Sequence, residues 1–324
     1  MKVIVTGATG FIGRRLVDQL LDNGFEVVAL VRAINNELPA KVIQASGDIT
    51  KPETLRDTGL GCSRLYHLAA MITFDPAKLD DLLFVNGQGT QNILEAAKRW
   101  GIDKTVVVSS ACTMGLTYDP SKVMDENSLP DRDTIKANPY LQSKLACENA
   151  ALIAARASCV IIVNPTSVYG PGDKTLNAGT LVKAVAASKI VPVPSGGTSV
   201  VDVEDVAAGI IAAGEKGLSG KRYILTSTNL KFSKVIKEIV ELLKIQPVLI
   251  NIPAVMRRPA ALGISLARLF IKSRLVTPQI IGDLFAYKYY SNELGKKELG
   301  WVPRFTFRES LERAINYYKE KGLI

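Results

Sequence analysis

Short apolar runs alternate with longer stretches of three-to-four-residue periodicity through the first half of the chain, the pattern of parallel strands separated by helices. The runs at 2–6, 26–31, 42–45, 64–68, 104–109 and 159–163 read as strands. They are largely apolar, as strands covered on both faces require. Between them, 79–100 and 140–156 carry helical spacing. The turn-rich segment Asn164-Pro165-Thr166-Ser167-Val168-Tyr169-Gly170-Pro171-Gly172-Asp173 ends this regularity, and the helical stretches 233–244, 254–272 and 307–321 follow among shorter elements. The pattern predicts an α/β chain with a doubly wound parallel sheet and helices on both faces. No internal repeat or low-complexity tract interrupts it.

The junction between the first strand and the first helix carries the first chemical signal. Lys2-Val3-Ile4-Val5 breaks into Thr6-Gly7-Ala8-Thr9-Gly10-Phe11-Ile12-Gly13, followed by the helical positions Leu16, Val17, Leu20 and Leu21. The free N–H groups and positive dipole end of such a helix form an anion site suited to a pyrophosphate. Gly7 would allow the tight turn, Gly10 the approach of phosphates to the backbone, and Gly13 the close packing of helix on sheet. The spacing is G-x-x-G-x-x-G rather than the general G-x-G-x-x-G fingerprint, and the alternative is an ordinary tight strand-to-helix turn. A Rossmann-type dinucleotide-binding domain is therefore expected over 1–165, with 199–228 returning to it. Segments 166–198 and 229–324 would form a smaller substrate-binding region at the carboxyl edge of the sheet.

Composition removes several classes of function. The 324 residues include one histidine, His67, in the apolar stretch Leu65-Tyr66-His67-Leu68-Ala69-Ala70. A Ser-His-Asp hydrolase would have to use it as base, and a histidine-rich zinc site cannot be assembled, so His67 reads as a structural residue ending a buried strand. Cys62, Cys112, Cys147 and Cys159 lack C-x-x-C spacing, which points to reduced thiols in a cytoplasmic protein and to no metal. The formal charge is +9, of which +7 falls from Met256 onward, where 13 Lys and Arg face 6 Asp and Glu. No interleaved aromatic and basic motif supports nucleic-acid binding. No apolar run reaches the roughly 18 residues of a membrane span, and the first strand leaves no room for a signal peptide.

Three further side chains map to the same sheet edge. Asn138-Pro139-Tyr140-Leu141-Gln142-Ser143-Lys144 reads as a helix start with Asn138 as N-cap, so Tyr140 and Lys144 share one face. An ammonium beside a phenol favours the phenolate and makes the pair a proton-transfer unit. The alternative is a packed Tyr with a solvated Lys. Ser109-Ser110-Ala111-Cys112-Thr113 ends the fifth strand, and Ser110 could hydrogen-bond a carbonyl or alcohol oxygen, or simply satisfy a turn.

With these residues in view, the chain resembles the extended short-chain dehydrogenase/reductase family, in its NAD-dependent epimerase/dehydratase-like branch, over essentially its full length. The resemblance rests on Thr6 to Gly13, Gly47-Asp48, His67 to Ala70, Val85-Asn86-x-x-Gly89-Thr90, Ser109-Ser110, Tyr140-x-x-x-Lys144, Asn164 to Asp173 and Leu299-Gly300-Trp301-x-Pro303. It implies that Tyr140 is the acid/base, that Lys144 lowers its pKa and binds the nicotinamide ribose, and that Ser110 orients the reacting oxygen. Asp48 and Ile49 would hold the adenine, Leu68, Ala69 and Ala70 would line the cofactor path, and Pro165, Thr166 and Ser167 would pack near the nicotinamide. Asn86 and Ser109 are further expected cofactor contacts, as are Thr9, Phe11 and Ile12 of the glycine turn. A homodimer pairing through 79–100 and 140–156 is also implied.

The second strand ends in Val31-Arg32 where NAD-specific sites carry an acid for the ribose 2′-hydroxyl, so Arg32 favours NADP(H), with NAD(H) the alternative. Nucleotide-sugar enzymes of the family usually carry Arg-Asp where Thr198-Ser199 stand here, so a diphosphate clamp is missing there. Ser109-Ser110-Ala111 and the turn-rich segment look closer to dihydroflavonol reductase-like and hydroxysteroid dehydrogenase-like proteins. The expected activity is thus NADP(H)-dependent reduction of a hydrophobic ketone or aldehyde, the alternative a nucleotide-sugar epimerase or dehydratase with tightly held NAD. A cofactor-sensing module without activity is a third reading, set against the complete Ser-Tyr-Lys set. The stretch 252–272, apolar but interrupted by Arg257, Arg258 and Arg268, is either a packed amphipathic helix or a peripheral membrane contact near the substrate mouth.

Overall fold

The computed structural model describes residues 1–259 and 282–324. Alternation of strand and helix begins with β1 (Lys2–Thr6), α1 (Phe11–Asp22), β2 (Glu26–Val31), β3 (Ile43–Ser46) and β4 (Arg64–His67). It continues through α2 (Leu79–Leu82), α3 (Gly89–Arg99), β5 (Lys104–Val108), α4 (Arg132–Ala137), α5 (Pro139–Ala154) and β6 (Val160–Pro165). Then follow β7 (Ser167–Tyr169), α6 (Gly179–Ala186), β8 (Ile190–Pro194), β9 (Gly197–Asp202), α7 (Val203–Lys216) and β10 (Arg222–Leu225). The last elements described are β11 (Thr228–Lys231), α8 (Phe232–Leu243), β12 (Val248–Ile252), β13 (Tyr287–Lys288) and α9 (Phe307–Glu320).

Seven strands form one parallel sheet in the order β10-β6-β5-β4-β1-β2-β3. The chain runs outward in one direction from β1 to β3 and in the other from β4 to β10, so the topological switch lies between β1 and β4, where a crevice opens at the carboxyl ends. There Val5 pairs with Tyr66 and Thr6 with His67. The inner strands of the sheet are covered on both faces, which is why they are largely apolar: Val3, Val5, Ala29, Val106 and Ile161 pack towards α1 and α7, and Ile4, Val28 and Leu65 towards Ile93 and Ala97 of α3. Of 199–228, α7 and β10 lie with this sheet, whereas β9 pairs with β7, β11 and β13 in a second one.

That second sheet and the β8–β12 pair form a smaller core with α6, α8 and α9, centred on Val182, Val191, Val235 and Leu311. Trp301 and the chain after it tie this layer back to the first, its indole donating to Asp205 O at 2.9 Å while Asp205 Oδ2 accepts from the Arg304 and Phe305 N–H groups. The fully buried Asp173 performs a similar task, accepting from the Asn177 N–H and the Tyr318 hydroxyl.

The expected helix 79–100 is present but widens in its middle. Between α2 and α3 the chain makes a wide π turn over Leu83–Gln88, a feature that often marks functional sites. Asn86 explains its retention: its amide donates to Met71 O at 2.9 Å and accepts from Met71 N at 2.7 Å, clasping the strand-end loop after β4. The expected helix 254–272 falls largely outside the described residues, as does Arg268; within them lie the single turn Ala254–Met256 and Arg257, whose guanidinium stacks on Tyr118 at 3.9 Å. No helix among the described residues is long and apolar enough to cross a membrane.

Candidate active site

The glycine turn shows what each glycine permits. Gly7 has φ +70°, and a Cβ there would lie 2.7 Å from the backbone of Leu68 and Ala69 on the neighbouring loop. A Cβ on Gly13 would lie 2.0 Å from Gly7 O, so helix and turn can touch only without one. Gly10 is exposed and caps α1 with no side-chain partner, which leaves the first helical N–H groups, those of Phe11 and Ile12, directed at the crevice. Thr9 is exposed beside it, Ile12 packs on the core, and Phe11 approaches Gly172 of the turn-rich loop. The unfilled donors and the glycine cradle fit a dinucleotide pyrophosphate.

Across the switch, Thr6, which opens the glycine turn, is a hub. Its hydroxyl accepts from Leu68 N at 3.2 Å and Ala69 N at 3.1 Å and lies 2.7 Å from His67 Nδ1. His67 Nε2 is 3.0 Å from Thr90 Oγ1, which itself donates to Asn86 O at 2.6 Å. That network assigns the proton to Nε2, with Nδ1 accepting from Thr6. Burial, with the nearby Lys144 charge, lowers the His67 pKa to about 3, so the imidazole is neutral and bridges β1, β4 and the helix carrying Asn86. Leu68, Ala69 and the exposed Ala70 follow along the crevice. The sequence signal for Thr6 is its place at the end of an apolar strand, where it opens the glycine turn.

The reacting groups meet beyond β5. Asn138 Oδ1 accepts from Leu141 N and Pro139 starts α5, setting Tyr140 and Lys144 one turn apart. Lys144 is 4% exposed, and its Nζ donates to Val108 O at 3.1 Å. Ser110 caps the following short turn, Ala111–Met114, and stands beside the Tyr140 phenol. Burial pushes the Tyr140 phenol well above its ordinary pKa, Cys112 adds to the rise, and Ser110 opposes it. On the same face of the helix, the Lys144 ammonium rests against the Val108 carbonyl at the end of β5. The phenol stays in its neutral, proton-donating form. Phe74 stands edge-on to Tyr140 at 5.5 Å, a contact for which the sequence offered no motif.

Two groups with hydrogen-bonding capacity to spare among the described residues add to the fit for a nicotinamide ribose. Ser109 Oγ is buried without a partner, and the Lys144 ammonium keeps donors unused beyond Val108 O. Asn86 also donates to Ser143 Oγ at 2.9 Å, joining the π turn to α5. At the far end, Arg32 is exposed just past β2, and its charge reaches Asp48. Burial raises the Asp48 pKa, but Thr50 hydrogen bonds and the Arg32 and Lys51 charges outweigh it and hold the carboxylate low. Ile49 O accepts from Asn92, and the Ile49 side chain covers Gly89. On the other side of the crevice, Pro165 is buried, Thr166 Oγ1 is 3.2 Å from Thr226 Oγ1, and Ser167 Oγ is 3.0 Å from Thr198 Oγ1. Ser199 is fully buried and engaged with Asn229 and Tyr290 N.

The NAD dependent epimerase/dehydratase family model matches residues 3–225. A putative dihydroflavonol 4-reductase of Synechocystis sp. is 28% identical over 338 residues, covering 99% of this chain and 95% of its own. Sterol demethylase protein B of Methylococcus capsulatus is 30% identical over 339 residues, covering 100% of both. Among solved structures, gox2253 superposes with a TM-score of 0.85 at 28% identity, over 99% of this chain and 98% of its own. The protein is an enzyme of the extended short-chain dehydrogenase/reductase type, uses a nicotinamide cofactor, and belongs to the NAD dependent epimerase/dehydratase family.

Proposed function

We propose that this enzyme reduces a hydrophobic ketone or aldehyde with NADP(H). The observation that carries the reading is the meeting of Tyr140 and Lys144 on one face of α5 with Ser110 at the turn after β5, beneath an apolar rim in which Ile72 is 50% and Phe74 46% exposed. When bound, the nicotinamide supplies the hydride. Ser110 donates to the substrate oxygen and fixes the carbonyl against Tyr140, which passes its proton to that oxygen as negative charge develops there. Lys144 holds the ribose and stabilises the phenolate left behind.

NADP(H) is favoured by Arg32, a guanidinium where a 2′-phosphate would lie, with no carboxylate at the end of β2 to accept a ribose hydroxyl. A reductase is favoured over a nucleotide-sugar enzyme by the engagement of Thr198 and Ser199 inside the second sheet, and by a relative named as a dihydroflavonol 4-reductase. Homodimer pairing through α3 and α5 is supported by exposed apolar side chains on α5 and beside α3, Leu152, Ile153 and Phe84. The test is the purified protein offered NADPH or NADH with a series of hydrophobic ketones. Consumption of free NADPH supports the reading. Tightly retained NAD, with a UDP- or dTDP-sugar raising the melting temperature, replaces it with epimerase or dehydratase chemistry.

A further inference from the structure

Glu148 is 2% exposed, yet it lies on α5 one turn beyond Lys144 and two beyond Tyr140. A carboxylate in such a place is costly unless its oxygens are filled. Oε1 accepts from Thr113 Oγ1 at 2.7 Å and from Asn164 Nδ2 at 2.6 Å, and Oε2 lies 3.4 Å from the Arg222 guanidinium of β10. Thr113 and Asn164 have a second task. Thr113 Oγ1 is 2.8 Å and Asn164 Nδ2 3.1 Å from the carbonyl oxygen of Ser110. Thr113 has a single proton and Asn164 two, so with Thr113 committed to the carboxylate the amide divides its pair between Glu148 and Ser110 O. The Thr113 N–H also reaches Ser110 O, at 3.2 Å, but both side chains that hold this carbonyl are themselves held by one carboxylate of the helix that carries Tyr140.

We propose that Glu148 is a positioning residue that sets the distance between Ser110 and Tyr140, by joining the short turn after β5 to the acid-bearing helix through Thr113 and Asn164. Its effect is expected to pass through Ser110 and to spare cofactor binding, since its partners Thr113, Asn164 and Arg222 lie away from the glycine turn. The inference rests on the carbonyl-reductase reading, because Ser110 matters only if a substrate oxygen is held there. A misplacement of about 1 Å costs on the order of a hundredfold in rate, which bounds the expected effect.

A double-mutant cycle tests it, with kcat, KM for ketone and Kd for NADPH measured on Glu148→Ala, Ser110→Ala and the pair. Glu148→Ala is expected to lower kcat by about tenfold to a hundredfold with the NADPH Kd unchanged. In the Ser110→Ala background the same substitution should cost nothing further. Glu148→Gln, whose amide oxygen still accepts from Thr113 and Asn164, should recover most of kcat and keeps the test valid if the alanine variant fails to fold. Losses that multiply in the double variant, a weakened NADPH Kd, or a glutamine variant as poor as alanine would overturn the proposal. Absence of NADPH-dependent turnover in the unaltered enzyme would instead overturn the reductase reading, so the two failures are told apart.

Discussion

The two ends of the catalytic crevice are built by different means. At the phosphate end, Gly7, Gly10 and Gly13 fall within seven consecutive residues, and the site is made of backbone: a positive φ, a free helix terminus and two contacts too close for any Cβ. At the substrate end, the walls come from distant segments whose side chains meet only in the fold, as in Ser167 with Thr198, Ser199 with Asn229, and the Tyr290 hydroxyl with Gly115 O at 2.7 Å. Backbone sites tolerate almost no substitution and serve one ligand. Walls made of side chains from several loops can be exchanged piecemeal, which is how one fold serves reductases and epimerases alike.

Substitutions that act on one end and spare the other sharpen this contrast. The largest effect falls where the ends meet: Tyr140→Phe should lower kcat by about 10²–10⁴-fold while NADPH still binds, as checked by steady-state kinetics and fluorescence titration. Gly13→Ala should act in the opposite sense. Its new Cβ displaces Gly7, so NADPH affinity and thermal stability fall together, by about 1–3 kcal/mol in calorimetry. Arg32→Asp should exchange NADPH for NADH preference by about tenfold to a hundredfold in kcat/KM, with ketone selectivity unchanged, since a charge-assisted hydrogen bond is worth about 1.5–3 kcal/mol. An unchanged preference would refute the assignment of Arg32.

The smallest effect concerns His67, and it appears as pH dependence. Folded, the imidazole stays neutral down to about pH 3; unfolded, it takes up a proton near its ordinary value of about 6.5. The unfolded state therefore binds more protons between these limits, and stability falls as pH falls through that window, by at most about 1.4 kcal/mol per pH unit from this group. Denaturant unfolding of His67→Asn between pH 6.5 and 4.5 should show a shallower slope than the unaltered enzyme. Equal slopes would mean that His67 does not carry this dependence.

What could be read in the sequence follows the same division. The strands, the glycine turn and the Asn138-capped start of α5 are local, so periodicity and capping chemistry reveal them. The π turn at Leu83–Gln88 is not, because it depends on Asn86 reaching Met71 on a separate loop. The contacts of Thr6, Phe74 and Glu148 escaped for a related reason: each acts through residues far away in the chain. The Val108 carbonyl that takes the Lys144 ammonium is likewise invisible to the i and i+4 spacing.

The central claim is that a protonated Tyr140 and Ser110 serve carbonyl reduction with NADPH. Its most direct test is a turnover assay with a hydrophobic ketone under NADPH and NADH, following cofactor oxidation and product alcohol together. The account predicts one alcohol formed per NADPH consumed, a slower reaction with NADH, and loss of both signals in Tyr140→Phe. A protein that consumes neither cofactor but interconverts a nucleotide sugar on NAD retained through purification would contradict it.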